Sequence, residues 1–130
     1  MQDDDNNEIL DWSSKKILIV EDDIYSAEYL IEVLADTKIH VEVTRNGLGA
    51  IEKVKEEKFD LILMDIQLPG LSGEKATELI RKFDKDTPII AQTAHAMSDD
   101  KEKYLNAGCN DYLAKPILIN DFLTTIKKYL

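Results

Sequence analysis

Side chains able to bind a cation or a phosphoryl group stand directly after four short apolar runs of the sequence. Glu21 and Asp22 follow the first run, and Asp65 follows the third. Thr93 comes after the fourth run and Lys115 after the fifth. If these runs are parallel strands of one open sheet, their carboxyl ends share the edge where binding sites form. We therefore expect these five side chains to lie close together.

Three carboxylates at one edge of a sheet repel one another unless a cation compensates their charge. Mg²⁺ prefers oxygen ligands and is commonly bound by one or two carboxylates, waters and a phosphate oxygen. The charges of three carboxylates, the Lys115 ammonium and one divalent cation sum to zero. A phosphoryl group at this edge can accept a hydrogen bond from Thr93 and pair with Lys115. The pattern thus predicts a Mg²⁺ site, in which Mn²⁺ can replace Mg²⁺, that handles a phosphoryl group.

Apolar runs alternate with amphipathic stretches from Lys15 onward. Continuous apolar runs are typical of strands buried on both faces, and their alternation with helices indicates a parallel sheet covered on both sides. The sequence therefore predicts an α/β fold with five strands and five helices. The pattern leaves the strand order open, although the doubly wound order 2-1-3-4-5 is one of the two common ones. The predicted strands are 16–20, 39–43, 59–64, 88–92 and 111–113.

Of the five predicted helices, the first, second, third and fifth in chain order carry apolar residues at helical spacing, which indicates the face that each one buries. The fourth, about 98–106, is highly charged, and its only large apolar residues near the centre are Tyr104 and Leu105. We therefore expect it to be the least firmly packed. The predicted core faces of the others are Ala27, Leu30, Ile31 and Leu34; Ala50, Ile51 and Val54; Ala76, Leu79, Ile80 and Phe83; and Ile119, Phe122, Leu123, Ile126 and Leu130.

Composition excludes several classes of protein. The 130 residues suit one domain, and the net charge of −10 argues against sequence-independent binding of nucleic acid. No apolar run approaches the ~18 residues of a membrane helix, and the acidic start does not resemble a signal peptide. The single cysteine, Cys109, excludes an internal disulfide. We expect a cytoplasmic protein.

Charge also divides the chain. Residues 1–14 carry five acidic and no basic residues and predict a mostly disordered tail or linker. Its few apolar residues are Ile9, Leu10 and Trp12, and either Trp12 packs on the domain or the segment is an incidental linker. The folded domain is then expected at 15–130.

Among isolated residues, Asp23 is predicted to cap a helix and Cys109 to be a small buried apolar residue. His40 and His95 are interpreted as surface or packing residues.

Four segments, each at the end of a predicted strand, together resemble the receiver domain of two-component response regulators. They are ILIVEDD at 17–23, LMDIQLPGLSG at 63–73, TAHA at 93–96 and AGCNDYLAKP at 107–116. The resemblance covers about 15–130 and implies a flavodoxin-like, doubly wound sheet in the order 2-1-3-4-5. The TAHAM and SDD stretches are most similar to receivers of hybrid sensor kinases and to single-domain regulators.

The resemblance also implies a metal site and a phosphoacceptor. Asp65 matches the aspartate that accepts the phosphoryl group. Asp22 matches the carboxylate that binds Mg²⁺ directly, and Glu21 matches a neighbour that acts through water. Gln67 matches the position whose backbone carbonyl binds the metal. Glu21 stands where some members have aspartate, a change that keeps the charge.

Further residues match positions that bind the phosphoryl group or respond to it. Thr93, the backbone of Ala94 and Lys115 match the phosphoryl-binding groups. Thr93 and Tyr112 match a switch pair: the Thr93 hydroxyl moves toward the phosphoryl group and the Tyr112 ring fills the space. The Lys115–Pro116 bond is similar to one that is usually cis.

The function implied is that of a signalling switch rather than a classical enzyme. A histidine kinase or a histidine phosphotransfer protein donates a phosphoryl group to Asp65 in a Mg²⁺-dependent reaction. The face formed by helix 4, strand 5 and helix 5 then changes. Because the sequence ends with the last predicted helix, we expect output through a protein contact or onward phosphotransfer, without direct nucleic-acid or membrane contact. The chain is then a stand-alone regulator or the receiver of a hybrid kinase.

Two tyrosines four residues apart, Tyr25 and Tyr29, are predicted on the face of the first helix opposite its core face. Buried aromatic anchors are common in protein interfaces. We therefore hypothesise that they help to dock the phosphodonor. Ordinary exposure, or packing on the last helix, is the alternative interpretation.

Two other functions are compatible with this architecture. A flavodoxin-like cofactor module needs hydrogen-bond donors after the first strand, and Glu21, Asp22 and Asp23 would repel its phosphate. A phosphatase of the haloacid dehalogenase type also uses a strand-end aspartate and Mg²⁺. It usually has a second aspartate where this chain has Gln67, and a cap domain for which 130 residues leave little room.

Overall fold

Five parallel strands form one sheet in the computed structural model, which describes residues 10–94 and 98–130. The strand order is β2-β1-β3-β4-β5, and every neighbouring pair is parallel. This confirms the predicted doubly wound α/β fold and its strand order. The strands are β1 (Lys16–Val20), β2 (His40–Thr44), β3 (Leu61–Asp65), β4 (Ile89–Thr93) and β5 (Asp111–Ala114).

Helices connect successive strands and cover both faces of the sheet. Alternate residues of each central strand point to opposite faces of the sheet, so each central strand contributes side chains to two cores. Helices α1 and α5 cover one core with Leu30, Leu34, Phe122 and Ile126, whereas α2, α3 and α4 cover the other. Within the described ranges the helices are α1 (Ile24–Leu34), α2 (Gly47–Glu56), α3 (Gly73–Ile80), α4 (Ser98–Ala107) and α5 (Ile119–Tyr129), with a 3₁₀ turn at Ala35–Thr37.

Three residues predicted for helix core faces are exposed instead. Ile31 is 38% exposed because it lies at the rim of the stripe formed by Leu30 and Leu34. Phe83 is 44% exposed because α3 ends at Ile80, three residues earlier. Ile119 is 47% exposed because it opens α5, before that helix reaches the core at Phe122. The helical spacing therefore identifies the buried face of each helix. It does not show where a helix begins or ends, or which residues lie at the rim of the buried face.

Strands β3 and β4 extend one residue beyond their predicted ends, whereas β1 ends at Val20 as predicted. Asp65 and Thr93 are the last residues of β3 and β4, not the first residues after them. Both side chains are buried, with 1% of Asp65 and 0% of Thr93 exposed. Backbone pairing of the central strands therefore fixes their positions.

Packing extends upstream of residue 15. Trp12 is only 9% exposed and belongs to the core that α1 and α5 cover. Its backbone N–H donates to the Thr37 carbonyl at 2.7 Å. The acidic residues Asp3, Asp4, Asp5 and Glu8 lie outside the described residues, as do His95 and the side chains of Ser98 and Asp99.

None of the helices in the described ranges combines the length and the apolar character needed to cross a membrane.

Candidate functional site

The β1–α1 connection presents its acidic residues in different ways. Glu21 is 1% exposed, and its Oε2 accepts the Asp23 N–H at 3.1 Å. Asp23 caps α1 as predicted: its carboxylate accepts the Tyr25 N–H at 3.4 Å and the Ser26 hydroxyl at 2.7 Å. Because Asp23 is committed to the helix start, Glu21 and Asp22 are the acidic residues of this connection that face the site.

Asp65 is held at the end of β3 by contacts to both carboxylate oxygens. Oδ1 accepts the Gln67 N–H at 3.0 Å, and Oδ2 accepts the Lys115 ammonium at 3.0 Å. Behind Asp65, helix α3 begins against the strand end at Gly73. A Cβ at Gly73 would come 2.0 Å from the Asp65 carbonyl oxygen, so only glycine permits this approach. These contacts fix the orientation of the carboxylate.

Glu21, Asp22 and Asp65 form one cluster of carboxylates. Each offers an oxygen within 4.8 Å of the others. Burial raises the pKa of Glu21 to about 7, while the Asp23 N–H opposes that rise and the Asp65 charge adds to it. Hard oxygen ligands grouped in this way suit a divalent cation, which would relieve the repulsion between them.

Lys115 supplies the positive charge of the site from the end of β5. Its Nζ lies 3.0 Å from Asp65 Oδ2 and 3.7 Å from Glu21 Oε1. Its backbone N–H donates to the Thr93 carbonyl at 2.8 Å, which extends the pairing of β5 with β4. The following bond to Pro116 is cis, the isomer that the family resemblance implies.

The Thr93 hydroxyl lies between the loop after β3 and helix α4. The Gln67 Nε2 donates to Thr93 Oγ1 at 3.1 Å, and the Ala94 N–H donates to Gln67 Oε1 at 3.3 Å. On its other side, Thr93 Oγ1 is 2.9 Å from the Tyr104 hydroxyl. Gln67 thus contacts two of the predicted phosphoryl-binding groups through its side chain.

Three contributions to the site were missed by sequence reasoning. Gln92 is 1% exposed and donates to Glu21 Oε1 at 3.1 Å. The sequence signal that could have identified Gln92 was its single amide side chain in a predicted strand that is otherwise apolar. The Gln67 carboxamide was overlooked because only the backbone of that residue was considered. Tyr104 was interpreted as a packing residue, since nothing in the helix pattern indicates that its hydroxyl reaches Thr93.

The other predicted residues lie around this centre. Tyr112 is half-buried in β5, and the Lys101 ammonium lies 5.6 Å from its ring centroid. Tyr25 and Tyr29 lie on α1 with 78% and 43% of their surfaces exposed. The Tyr29 hydroxyl donates to the Ile117 carbonyl at 3.3 Å, so this ring also packs on the β5–α5 connection.

Tyr25 and Tyr29 line an open groove of about 710 Å³ that reaches the site. Gln92 and Lys115, which contact the carboxylates, lie at its inner end. The residues lining the groove are Tyr25, Ser26, Tyr29, Leu30, Gln92, Lys115, Pro116, Ile117 and Leu118. An apolar surface therefore leads to the half-buried Lys115 and, through it, to the buried Asp65.

The fold described above is shared with one signalling family. The family model for the response regulator receiver domain matches residues 17–127, and the chain belongs to this family. A receiver domain is a signalling module rather than a classical enzyme. The match identifies the chain as a receiver rather than as the flavodoxin-like module or the phosphatase considered from sequence.

Sequence relatives include both hybrid kinases and single-domain regulators. Hybrid signal transduction histidine kinase G of Dictyostelium discoideum is 46% identical over 119 residues, covering 88% of this chain and 4% of the kinase. The polar-differentiation response regulator DivK of Brucella anthropi is 40% identical over 118 residues, covering 89% of this chain and 96% of DivK. The chain therefore spans a small part of the kinase and nearly the whole of the single-domain regulator, and both predicted types of relative are confirmed.

Solved structures share the complete fold. The receiver domain of Ssk1 in its co-crystal structure with the phosphotransfer protein Ypd1 from Saccharomyces cerevisiae has a TM-score of 0.84 and 36% identity, with 88% of each chain covered. The receiver domain of sensor histidine kinase PA1611 from Pseudomonas aeruginosa has a TM-score of 0.82 and 35% identity, with 88% of this chain and 96% of that chain covered. The PA1611 structure has a magnesium ion coordinated in its active-site cleft.

Proposed function

We propose that this receiver takes a phosphoryl group onto Asp65 from a phosphohistidine of a kinase or of a phosphotransfer protein. The observation that carries the proposal is the Asp65 carboxylate itself. It is 1% exposed, lies 3.0 Å from the Lys115 ammonium and belongs to the three-carboxylate cluster. A structural ion pair would not need the other two carboxylates beside it.

The cluster would hold Mg²⁺, the ion coordinated in the PA1611 receiver. Asp22 and Asp65 would bind it directly, the Gln67 carbonyl would supply a neutral oxygen, and Glu21 would act through water. Both Glu21 oxygens already accept hydrogen bonds from protein donors, which suits an indirect role. When bound, Mg²⁺ neutralises negative charge that accumulates on the transferring phosphoryl oxygens.

Phosphoryl transfer exchanges one bond to phosphorus for another. An Asp65 carboxylate oxygen attacks the phosphorus atom in line, and the bond from phosphorus to the donor imidazole nitrogen breaks. The electron pair of that bond stays on the imidazole. Lys115 stabilises the negative charge on the phosphoryl oxygens, since its ammonium is already positioned beside Asp65. The Thr93 hydroxyl and the Ala94 N–H donate to the remaining oxygens.

The phosphorylated domain would signal through the face of α4, β5 and α5. Movement of Thr93 toward the phosphoryl group opens space for the Tyr112 ring, which lies on the adjacent strand β5 and is half-buried. The relatives support either of two contexts for this switch: a stand-alone regulator of the DivK type, or the receiver of a hybrid kinase. In both, the output is a protein contact or onward phosphotransfer.

The groove on α1 would dock the phosphodonor. Tyr25 is 78% exposed on its rim, and the groove ends at Lys115 and therefore at Asp65. An apolar helix pair carrying a phosphohistidine suits this surface, because its reactive ring must reach a buried carboxylate. The Ssk1 receiver, solved in complex with a phosphotransfer protein, supports this class of partner.

Phosphorylation is tested by intact mass after incubation with acetyl phosphate and Mg²⁺. We expect a single phosphoryl adduct in the wild type. Asp65→Asn should lack the adduct, and so should wild-type protein in excess chelator. Asp60→Asn, whose carboxylate accepts the Lys16 N–H away from the site, is the matched control and should be labelled. A folded wild type that gains no adduct from acetyl phosphate or from a panel of phosphorylated donors contradicts the proposal.

Docking is tested by comparing two kinds of donor. In the double variant Tyr25→Ala and Tyr29→Ala, transfer from a phosphorylated histidine phosphotransfer protein should slow by at least tenfold, about 1.4 kcal/mol, a loss typical of interface anchors. Labelling by acetyl phosphate should be unchanged, because a small donor does not use the groove. Equal protein-donor rates in the variant and the wild type would disprove the docking role.

A further inference from the structure

A hydrogen-bond path runs from the loop after Asp65 to helix α4. The Gln67 carboxamide donates to Thr93 Oγ1 at 3.1 Å, and Thr93 Oγ1 lies 2.9 Å from the Tyr104 hydroxyl. The same carboxamide accepts the Ala94 N–H at 3.3 Å. The Thr93 hydroxyl is therefore held from one side by the phosphoacceptor loop and from the other by α4.

Tyr104 ties α4 to this path. It is 3% exposed, whereas the neighbouring Leu105 is 40% exposed and the preceding residues of α4 are charged. Tyr104 is thus the large side chain that anchors this helix in the core shared with α2 and α3. A buried tyrosine hydroxyl requires a hydrogen-bond partner, because its desolvation is costly. The position of α4 is consequently linked to the position of the Thr93 hydroxyl.

A phosphoryl group on Asp65 would draw on the Thr93 hydroxyl and the Ala94 N–H, the two groups that this path holds. A threonine hydroxyl carries one proton, and phosphoryl oxygens only accept hydrogen bonds. Either hydroxyl can be the donor in the Thr93–Tyr104 contact, so it is the movement of the Thr93 hydroxyl toward the phosphoryl group, and away from α4, that would lengthen this contact. The Ala94 N–H also has one proton, which Gln67 Oε1 now accepts. A phosphoryl group on Asp65 would therefore compete with Gln67 for the Ala94 N–H and would draw the Thr93 hydroxyl away from Tyr104.

We propose that Tyr104 is a positioning residue which, together with the Gln67 carboxamide, holds Thr93 and Ala94 in the resting arrangement. Phosphorylation of Asp65 breaks the Thr93–Tyr104 contact and releases α4. This inference rests on the proposed function and deepens it, because it makes α4 a direct partner of Thr93 in addition to the Tyr112 ring on β5. The hydroxyl of Tyr104 thus stabilises the unphosphorylated form.

The test uses beryllofluoride, a phosphoryl mimic, with Mg²⁺ and the full chain. Tyr104→Phe removes the hydroxyl and keeps the ring, and Gln67→Leu removes the carboxamide. Tyr129→Phe is the matched control, since its hydroxyl contacts Asn110 and Asp111 at the opposite edge of the sheet. Backbone amide NMR reports the α4 resonances of each protein, and a titration gives the beryllofluoride concentration at half-saturation.

We expect Tyr104→Phe and Gln67→Leu to lower the half-saturating concentration by about two- to tenfold, the effect of one net hydrogen bond lost from the resting form. Their α4 resonances should move, before any ligand is added, toward the wild-type positions in beryllofluoride. Tyr129→Phe should match the wild type. If Tyr104→Phe does not fold, the same comparison is made with Gln67→Leu.

Two results overturn the inference while leaving the proposed function intact. In one, the wild type responds to beryllofluoride and Tyr104→Phe has the same half-saturating concentration and the same α4 resonances. In the other, Tyr104→Phe binds the mimic more weakly, so that its hydroxyl stabilises the phosphorylated form instead. A folded wild type that neither binds beryllofluoride nor accepts a phosphoryl group contradicts the proposed function and the inference together.

Discussion

The buried Asp65 carboxylate is stabilised by one cation and by one backbone donor. Lys115 contacts one oxygen and the Gln67 N–H the other, each at 3.0 Å. Burying a carboxylate without partners would be costly, so these contacts compensate its burial and orient it. Glu21 beside it lies 3.7 Å from the Lys115 ammonium, and burial raises its pKa to about 7. The carboxylates of the site therefore carry negative charge that Lys115 alone does not compensate, and a divalent cation would supply the missing positive charge.

Gly73 is expected to be essential for the geometry of Asp65. In Gly73→Ala the added Cβ would lie 2.0 Å from the Asp65 carbonyl oxygen and would push α3 away from β3. We expect a loss of about 1–3 kcal/mol in the free energy of unfolding, typical of overpacking, and slower phosphorylation of Asp65. Urea denaturation and intact mass with acetyl phosphate measure the two effects.

Gly70→Ala separates backbone strain from damage to the site. Gly70 has a φ of +74° with open space around its Cβ position, so alanine there should cost about 1–2 kcal/mol through backbone strain alone. Its phosphorylation rate should remain that of the wild type. If Gly73→Ala were labelled as fast as Gly70→Ala, the close approach of α3 would have no role in orienting Asp65.

Cys109 is expected to be unreactive in the folded domain. It is 5% exposed, and burial raises the pKa of its thiol to about 11. Because the thiolate is the reactive form, alkylation by iodoacetamide at pH 8 should be about a hundredfold slower than for an unperturbed cysteine, and faster at higher pH. Mass spectrometry with and without denaturant measures this, and rapid alkylation of the native protein at pH 8 would contradict it.

At the scale of the elements, the helices that cover the two faces of the sheet differ in packing. Helix α5 inserts Phe122 and Ile126 fully into the core, and both are 0% exposed. Helix α4 relies on Tyr104 and Ala107, which are 3% and 6% exposed, while the rest of it is largely charged. The expectation of a thinly packed fourth helix agrees with this. An element with few buried contacts is easier to displace, which suits the switch proposed for α4.

The contribution of α5 can be measured with one buried and one exposed residue of the same helix. Phe122→Ala should lower the free energy of unfolding by about 3–5 kcal/mol, because it leaves a cavity beneath α5. Ile119→Ala, at a position that is 47% exposed, should cost much less. Denaturant unfolding at equilibrium compares them, and similar losses for the two variants would contradict the packing described for α5.

The sequence predicts the elements better than their order and their ends. Strands β1 and β3 were identified most clearly, because strands buried on both faces need continuous apolar residues. Strand β2, a partly exposed strand with the sequence HVEVT, gave a weaker signal. The strand order could be predicted only from the family resemblance, because the spacing of apolar residues along the chain does not show which strands are neighbours in the sheet. Phe83 and Ile119 were misplaced because apolar spacing continues past α3 and begins before α5 meets the core. Of the site, the strand-end residues were predictable, whereas the Tyr104 hydroxyl contact depends on how α4 packs.

At the scale of the whole molecule, one edge of the sheet gathers residues from four strand ends. The order β2-β1-β3-β4-β5 places β3 at the centre, so Asp65 lies between the acidic end of β1 and Thr93 of β4. Lys115 reaches it from beyond β5 with its ammonium 3.0 Å from Asp65 Oδ2. The groove beside α1 opens onto the same edge. Binding, phosphorylation and signalling are therefore expected to share this one end of the domain.

Metal binding at this edge should stabilise the whole domain. A ligand that binds only the folded state stabilises it by mass action, about 1.4 kcal/mol at a tenfold excess over the dissociation constant. We therefore expect Mg²⁺ to raise the Tm by a few degrees in the wild type. The Tm of Asp22→Asn should not respond, and that of the distant control Asp60→Asn should respond as the wild type does. A Tm of the wild type that is insensitive to Mg²⁺ would contradict the metal site.

The proposed conversion of Asp65 to an acyl phosphate can be tested by borohydride trapping. Hydride reduces the acyl carbon of an aspartyl phosphate to an alcohol, which converts the residue to homoserine and releases phosphate. After incubation with Mg²⁺ and acetyl phosphate, peptide mass spectrometry should find homoserine at position 65 alone. The product should be absent from chelator-treated protein. Homoserine at another position, or none in a folded wild type, would contradict the account.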